Sequence, residues 1–365
     1  MAPLRIRWMR RARSEFDVGF THMLIAVCSF IAVLGAVVAV GVALYNNPDA
    51  PTVSTSAVAA PGGKTIDFAA EPGAGWKPFD PKLQPAPGAT EHKITLHARE
   101  LQLEIAPGLK QEMWTFNGQV PAPILRGHIG DIFTVTLVND GKNGHSVDFH
   151  ASEVSPGDKM RTIGPGQSLV YQFQATHSGI WLYHCGTPPV LHHVGNGMYG
   201  AVIIDPPDLP AVDHEYIFVQ SELYLGGTTE AGYMKMQNEQ WDAVVFNGYV
   251  NQYSAAPIRV EPGQTIRAWV LDAGPSENSS FHVIGTIFDT VYREGHYELR
   301  PDATHGGSQA LDLQPAQGGF VEFTFEQPGT YPFITHKLAN VSQGALGLFQ
   351  AGEPSPDASG AHASH

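Results

Sequence analysis

The sequence predicts an all-β protein of two tandem β-sandwich domains, preceded by a transmembrane helix. Three observations lead there. The 365 residues include 39 glycines and 28 prolines and show few long helical periodicities, as expected of short strands joined by turns. The length suits two sandwiches of ordinary size plus extensions. The chain also repeats itself weakly: Phe116-Asn117-Gly118 recurs as Phe246-Asn247-Gly248. Each copy is followed by a Pro-containing loop and a turn before a strand, at Gly130-Asp131 and Pro262-Gly263.

The N-terminal residues 1–22 carry Arg5, Arg7, Arg10, Arg11 and Arg13 against Glu15 and Asp17. Residues 23–45 hold no charged side chain. That stretch is long enough to span a bilayer and longer than the apolar core of a secretory signal. The arginines before it keep the N-terminus in the cytoplasm, so an uncleaved anchor would hold the body on the extracytoplasmic side, in a periplasm or at a cell surface. Residues 46–90 are rich in Pro, Ala, Gly and Thr and read as a linker between membrane and body. Strand alternation starts near 91, as in Lys93-Ile94-Thr95-Leu96-His97-Ala98. A first domain is expected over 91–208 and a second over 209–352, joined at the Pro-rich stretch 205–210. The tail 353–365 is small, polar and expected to be disordered. Net charge is −14 although the N-terminal segment is basic, so the body is strongly acidic and a nucleic-acid partner is disfavoured. Of the two cysteines, Cys28 lies in the apolar run, so no disulfide framework is implied.

The other cysteine carries the chemistry. Cys185 closes the run Trp181-Leu182-Tyr183-His184-Cys185, with His193 and Met198 following in the spacing C-x7-H-x4-M and His145 upstream. A thiolate, two imidazoles and a weak axial thioether form the ligand set of type 1, blue-copper electron-transfer sites. His192 competes with His193 for the second imidazole position; the four-residue gap to Met198 favours His193. Side chains alternate faces along a strand. Trp181, Tyr183 and Cys185 therefore share one face with an apolar, core-side character, as do His145, Val147 and Phe149. His184 and His150, with Asp148, point the other way, onto an outer surface where they would bind a second copper. Two histidines leave that metal short of a ligand, which must come from a second domain or another subunit. The repeat supplies a candidate: Gly179-Ile180-Trp181-Leu182-Tyr183-His184 is answered by Gly329-Thr330-Tyr331-Pro332-Phe333-Ile334-Thr335-His336, with no cysteine after the histidine.

Over roughly 91–352 these motifs, with Phe281-His282-Val283-Ile284, resemble the copper-containing nitrite reductases. The resemblance implies two cupredoxin-like Greek-key domains, with type 1 ligands His145, Cys185, His193 and Met198. It implies type 2 copper ligands His150, His184 and, from the neighbouring subunit, His336, hence two coppers per chain and a homotrimer. Asp148 and His282 would be the catalytic pair and Ile284 would shape the pocket over the metal. Nitrite would be reduced to nitric oxide with electrons from a small cupredoxin or cytochrome c. The chain departs from the family pattern in placing His192 where an aromatic residue precedes the ligand. A laccase-like multicopper oxidase would need paired H-x-H motifs, which neither metal strand carries. A membrane-tethered cupredoxin electron relay would lack the second copper.

Overall fold

The computed structural model describes residues 64–301 and 304–353. The basic segment 1–22, the expected transmembrane helix 23–45, the linker up to 63 and the tail beyond Glu353 lie outside the described residues. Among the described residues no helix is long and apolar enough to cross a membrane.

Among the described residues eight strands precede residue 206: β1 (Glu91–Ala106), β2 (Leu109–Phe116), β3 (Leu125–His128), β4 (Ile132–Asn139), β5 (Asp148–Phe149), β6 (Ser168–Gln174), β7 (Gly179–His184) and β8 (Tyr199–Asp205). They form two four-stranded sheets, β2-β1-β4-β6 and β3-β8-β7-β5. Eleven strands follow: β9 (His214–Leu223), β10 (Ala243–Phe246), β11 (Ile258–Val260), β12 (Thr265–Gly274), β13 (Ser279–Val283), β14 (Thr290–Arg293), β15 (His296–Leu299), β16 (Leu311–Leu313), β17 (Gly318–Thr324), β18 (Gly329–Thr335) and β19 (Leu346–Ala351). Their sheets run β10-β9-β12-β17-β14-β15 and β11-β19-β18-β13-β16. The fold is mostly β and cupredoxin-like.

The internal repeat holds at the level of single hydrogen bonds. Asn117 and Asn247 both adopt left-handed backbone, with φ of 58° and 56°, and each precedes a glycine with φ near 80°. The Asn117 side chain accepts from the His97 N–H (2.7 Å) and donates to the Thr95 carbonyl. Asn247 does the same to Val219 (2.8 Å) and Ile217. A compact turn clamps the matching strand, β1 in one half and β9 in the other. Asparagine tolerates this backbone, and its amide substitutes for a missing ladder partner.

The four sheets stack as layers, with three of the four buried apolar clusters lying between successive sheets. Leu96, Phe133 and Val135 meet Phe149, Tyr183, Val202 and Ile204 in the first. Phe218, Val270 and Val321 meet Phe281, Phe333 and Phe349 in the last. The middle core joins the halves: Ile180, Leu182 and Ile203 pack on Ile217, Val219, Trp269 and Phe320. This refines the parity expectation. The even face of β7 is an outer surface only at His184, because Ile180 and Leu182 are covered by the second half of the chain.

The described part of the expected 46–90 linker is in contact with the body. Residues 64–90 lie along the body: Ile66 and Phe68 pack near Ile105 and Val245. Phe79 and Leu83 seal the edge of the middle core. The Ile217 N–H donates to Pro81 (2.8 Å) and the Leu83 N–H to Glu215 (2.9 Å). Proline-rich composition hid a segment that carries enough large apolar side chains to dock without forming a regular strand.

Candidate metal centre

The sequence-predicted thiolate site assembles from four segments. β7 ends at His184, and the chain turns so that the Cys185 N–H donates to the Met198 carbonyl (3.1 Å). His145 is held by an isolated antiparallel bridge to Ile163. Helix α1 (Val190–Gly195) carries both His192 and His193. Successive helical residues point about 100° apart, so only one of the two faces inward. It is His193, whose Nδ1 lies 3.3 Å from Cys185 Sγ; His145 Nδ1 lies at 4.0 Å. His192 turns away and its Nε2 meets the Gly227 carbonyl (2.7 Å). Cys185, His145 and Met198 are completely buried and His193 nearly so.

These separations suit a first-row ion with bonds of about 2.0–2.3 Å. Burial pushes the His145 and His193 pKa values down, His193 to about 3, which keeps both imidazoles available as lone-pair donors. Burial raises the Cys185 thiol, opposed by donors from Ser146 and Thr187. Metal binding therefore releases a proton. The Ser146 N–H points at Sγ (3.4 Å), and the Ser146 hydroxyl accepts from the Gly186 N–H and Thr187 hydroxyl.

The second group, Asp148, His150 and His184, forms on the opposite face of the same sheet. Asp148 and His184 are register partners between β5 and β7. His150 Nε2 and His184 Nε2 converge at 3.1 Å, and Asp148 Oδ2 lies 3.9 Å from His184 Nε2. The other His184 nitrogen, Nδ1, donates to the Cys185 carbonyl (2.9 Å), which fixes the tautomer and leaves Nε2 free for a metal. Partial desolvation and the adjacent His184 lower the His150 pKa, again favouring the neutral ring.

The structure does not bring His336 into that group within one chain. His336 and His282 form their own pair, with ring centroids 5.5 Å apart; His282 lies on β13 and His336 directly follows the adjacent β18. His282 Nδ1 bonds the Gln309 carbonyl. His336 is exposed, as are Ile284 (38%), two residues after His282, and Leu338 (61%), two residues after His336.

The loop leading into β13 is shaped by Glu222, which accepts from the Tyr224 hydroxyl (2.5 Å), the Ser276 N–H (2.8 Å) and the Glu277 N–H. Burial pushes Glu222 up to about 7 from 4.5, and burial raises Asp272 beside it as well. The folded pKa of Glu222 exceeds its unfolded one, so the stability it contributes is complete below about pH 4.5 and is lost as pH rises through about 7. Denaturation midpoints should fall over that window, and Glu222→Gln should flatten part of the fall; an unchanged slope in the variant would clear Glu222 of that role.

Sequence reasoning missed two neighbours of the thiolate site. Trp114 on β2 packs edge-on against His193 (centroids 4.7 Å) and tilts over His192 (4.8 Å), so the aromatic wall comes from a distant strand. Glu100 on β1 reaches His145 Nε2 at 3.1 Å. The one available signal was an acidic residue in a strand that turns inward, and alternation alone does not give its partner.

Comparison with known proteins agrees with this geometry. Residues 97–209 match the multicopper oxidase family model. The copper-containing nitrite reductase of Neisseria gonorrhoeae is 33% identical over 267 residues, covering 70% of this chain and 67% of the relative. That of Alcaligenes xylosoxydans xylosoxydans is 29% identical, covering 69% and 83%. The solved copper nitrite reductase from Nitrosomonas europaea superposes with a TM-score of 0.67 at 32% identity, covering 73% of this chain and 96% of that one. With a buried His-Cys-His-Met cluster of type 1 character and relatives matched over most of their length, this chain belongs to the copper-containing nitrite reductases and is a nitrite-reducing enzyme.

Proposed function

We propose that the enzyme reduces nitrite to nitric oxide, using one copper at each of its two side-chain groups and completing the second site between subunits. The observation that carries this reading is the adjacency of Cys185 and His184. They are neighbours in sequence yet belong to two groups on opposite faces of one sheet. His145, Cys185, His193 and Met198 hold the type 1 copper in this reading, and His150, His184 and a neighbouring subunit's equivalent of His336 hold the type 2 copper. Exposed Ile284 and Leu338, two residues beyond His282 and His336, would supply apolar surface for a trimer contact.

Bound copper would supply one-electron transfer at the buried site and a Lewis-acid position for nitrite at the exposed one. The side chains do the rest. The Cys185–His184 peptide joins the two groups covalently. Nitrite, one electron and two protons give nitric oxide and water. Asp148 lies on the face of His150 and His184, where its carboxyl can donate a proton to a nitrite oxygen. His282, held by Gln309, would relay the second from the opposing subunit, and Ile284 beside it would limit the space for substrate. A small cupredoxin or cytochrome c would deliver electrons to the type 1 site of a membrane-anchored enzyme whose body faces the extracytoplasmic side.

The test is His336→Ala in the copper-loaded protein, with nitric oxide evolution, copper per chain and oligomeric state measured together. The expected result is loss of nitric oxide and of the exposed-site copper while the thiolate-to-copper colour survives. Undiminished nitric oxide production would remove His336, and with it the intersubunit site.

A further inference from the structure

We infer that Glu100 is a positioning residue for His145: its carboxylate accepts the Nε2–H of the imidazole, turns Nδ1 toward the metal and favours the oxidised state of the centre. This rests on the type 1 reading of that centre. The two ring nitrogens of His145 face different groups. Nδ1 looks toward Cys185 Sγ (4.0 Å), while Nε2 lies 3.1 Å from Glu100 Oε1. Both side chains are withdrawn from solvent, with 0% and 2% exposure.

The carboxylate is itself held. Its Oε1 also accepts from the Asn143 N–H and side-chain amide (both 3.0 Å), and Oε2 from the Lys142 N–H (2.8 Å). A Cβ on Gly141 would lie 2.6 Å from Oε2, so the loop closes directly over the acid. With donors from His145, Asn143 and Lys142, both carboxylate oxygens of Glu100 are partnered. A buried negative charge hydrogen-bonded to a metal-binding imidazole raises the basicity of the ligand and fixes its ring. It also interacts more strongly with the ion in its higher charge state. A loop-shaping role alone would produce neither effect on the metal.

The experiment compares wild type, Glu100→Gln and Asn143→Ala as full-length, copper-loaded protein. Type 1 midpoint potential is followed at the thiolate-to-copper absorption, and copper retention is read by chelator competition. Glu100→Gln should favour the reduced state by about tenfold, which is about +59 mV for a one-electron couple. It should also weaken copper retention by about 10–100-fold. Asn143→Ala removes a bond to the same carboxylate but leaves His145 its partner, so its potential should match wild type. An unshifted Glu100→Gln with intact colour, or an equal shift in Asn143→Ala, would overturn the inference. If Glu100→Gln does not fold, the wild-type cuprous protein decides: a slowly exchanging His145 Nε2–H in imidazole NMR spectra is expected, and its absence counts against the role. A wild-type protein without the thiolate-to-copper band would instead defeat the reading of the centre itself.

Discussion

Replacing Asp148 with asparagine is expected to lower nitrite turnover by about 10²–10⁴-fold, the range in which a positioned proton donor contributes. Asparagine keeps the size and register of Asp148 opposite His184, so both metal groups should stay assembled. What is lost is a transferable proton on the face where His150 and His184 converge. Asp148 is partly exposed and lies 3.9 Å from His184 Nε2, close enough to address a ligand of a metal bound there without itself being required as a ligand. The check is steady-state turnover with an artificial reductant beside copper content and the spectra of both centres. Normal turnover in Asp148→Asn would take the residue out of the chemistry. Low turnover accompanied by loss of the exposed-site copper would instead make it a ligand.

The second large effect concerns stability. Arg267 is completely buried, yet its guanidinium serves Glu322 (2.7 Å), Glu215 (3.2 Å) and the Pro210 carbonyl (2.6 Å). Glu215 also binds Arg126 (2.8 Å) and the Trp269 indole (3.0 Å), and Arg126 continues to Asp205 (2.8 Å) and the Gln84 carbonyl (2.9 Å). This ionic run crosses from β3 and β8 to β9, β12 and β17 and ties the inter-domain segment and the docked N-terminal strap into one place. Arg267→Ala strands Glu322 without its cation and should cost about 3–5 kcal/mol. The measure is the denaturant midpoint at fixed protein concentration, since association contributes to apparent stability. A loss no greater than that of an exposed ion pair, under about 1 kcal/mol, would refute the assignment.

Much of the centre was legible because its logic is one-dimensional. Spacing picks out Cys185, His193 and Met198, and alternation puts His184 and Cys185 on opposite faces; both are properties of a single strand or turn. The helical turn that carries His192 and His193 points His193 rather than His192 toward Cys185, in line with the gap to Met198. What was not legible depends on another element arriving from elsewhere. Alternation sends Leu182 outward but is silent on the second half of the chain that covers it. Residues 64–90 read as a linker because extended docking leaves no periodicity. Glu100 and Trp114 reach the centre only after β1 and β2 have folded over it.

β7 is an interior strand whose two faces are walled by separate apolar cores. Electron tunnelling falls off exponentially with separation, so a conduit that breathes makes a poor wire. In the proposed two-copper reading, the spacer between the ions would be a stiff ruler set by the surrounding apolar packing rather than by the ions. Stripping either ion should leave the other seat undisturbed, and heating should alter transfer through its driving force well before it alters the gap.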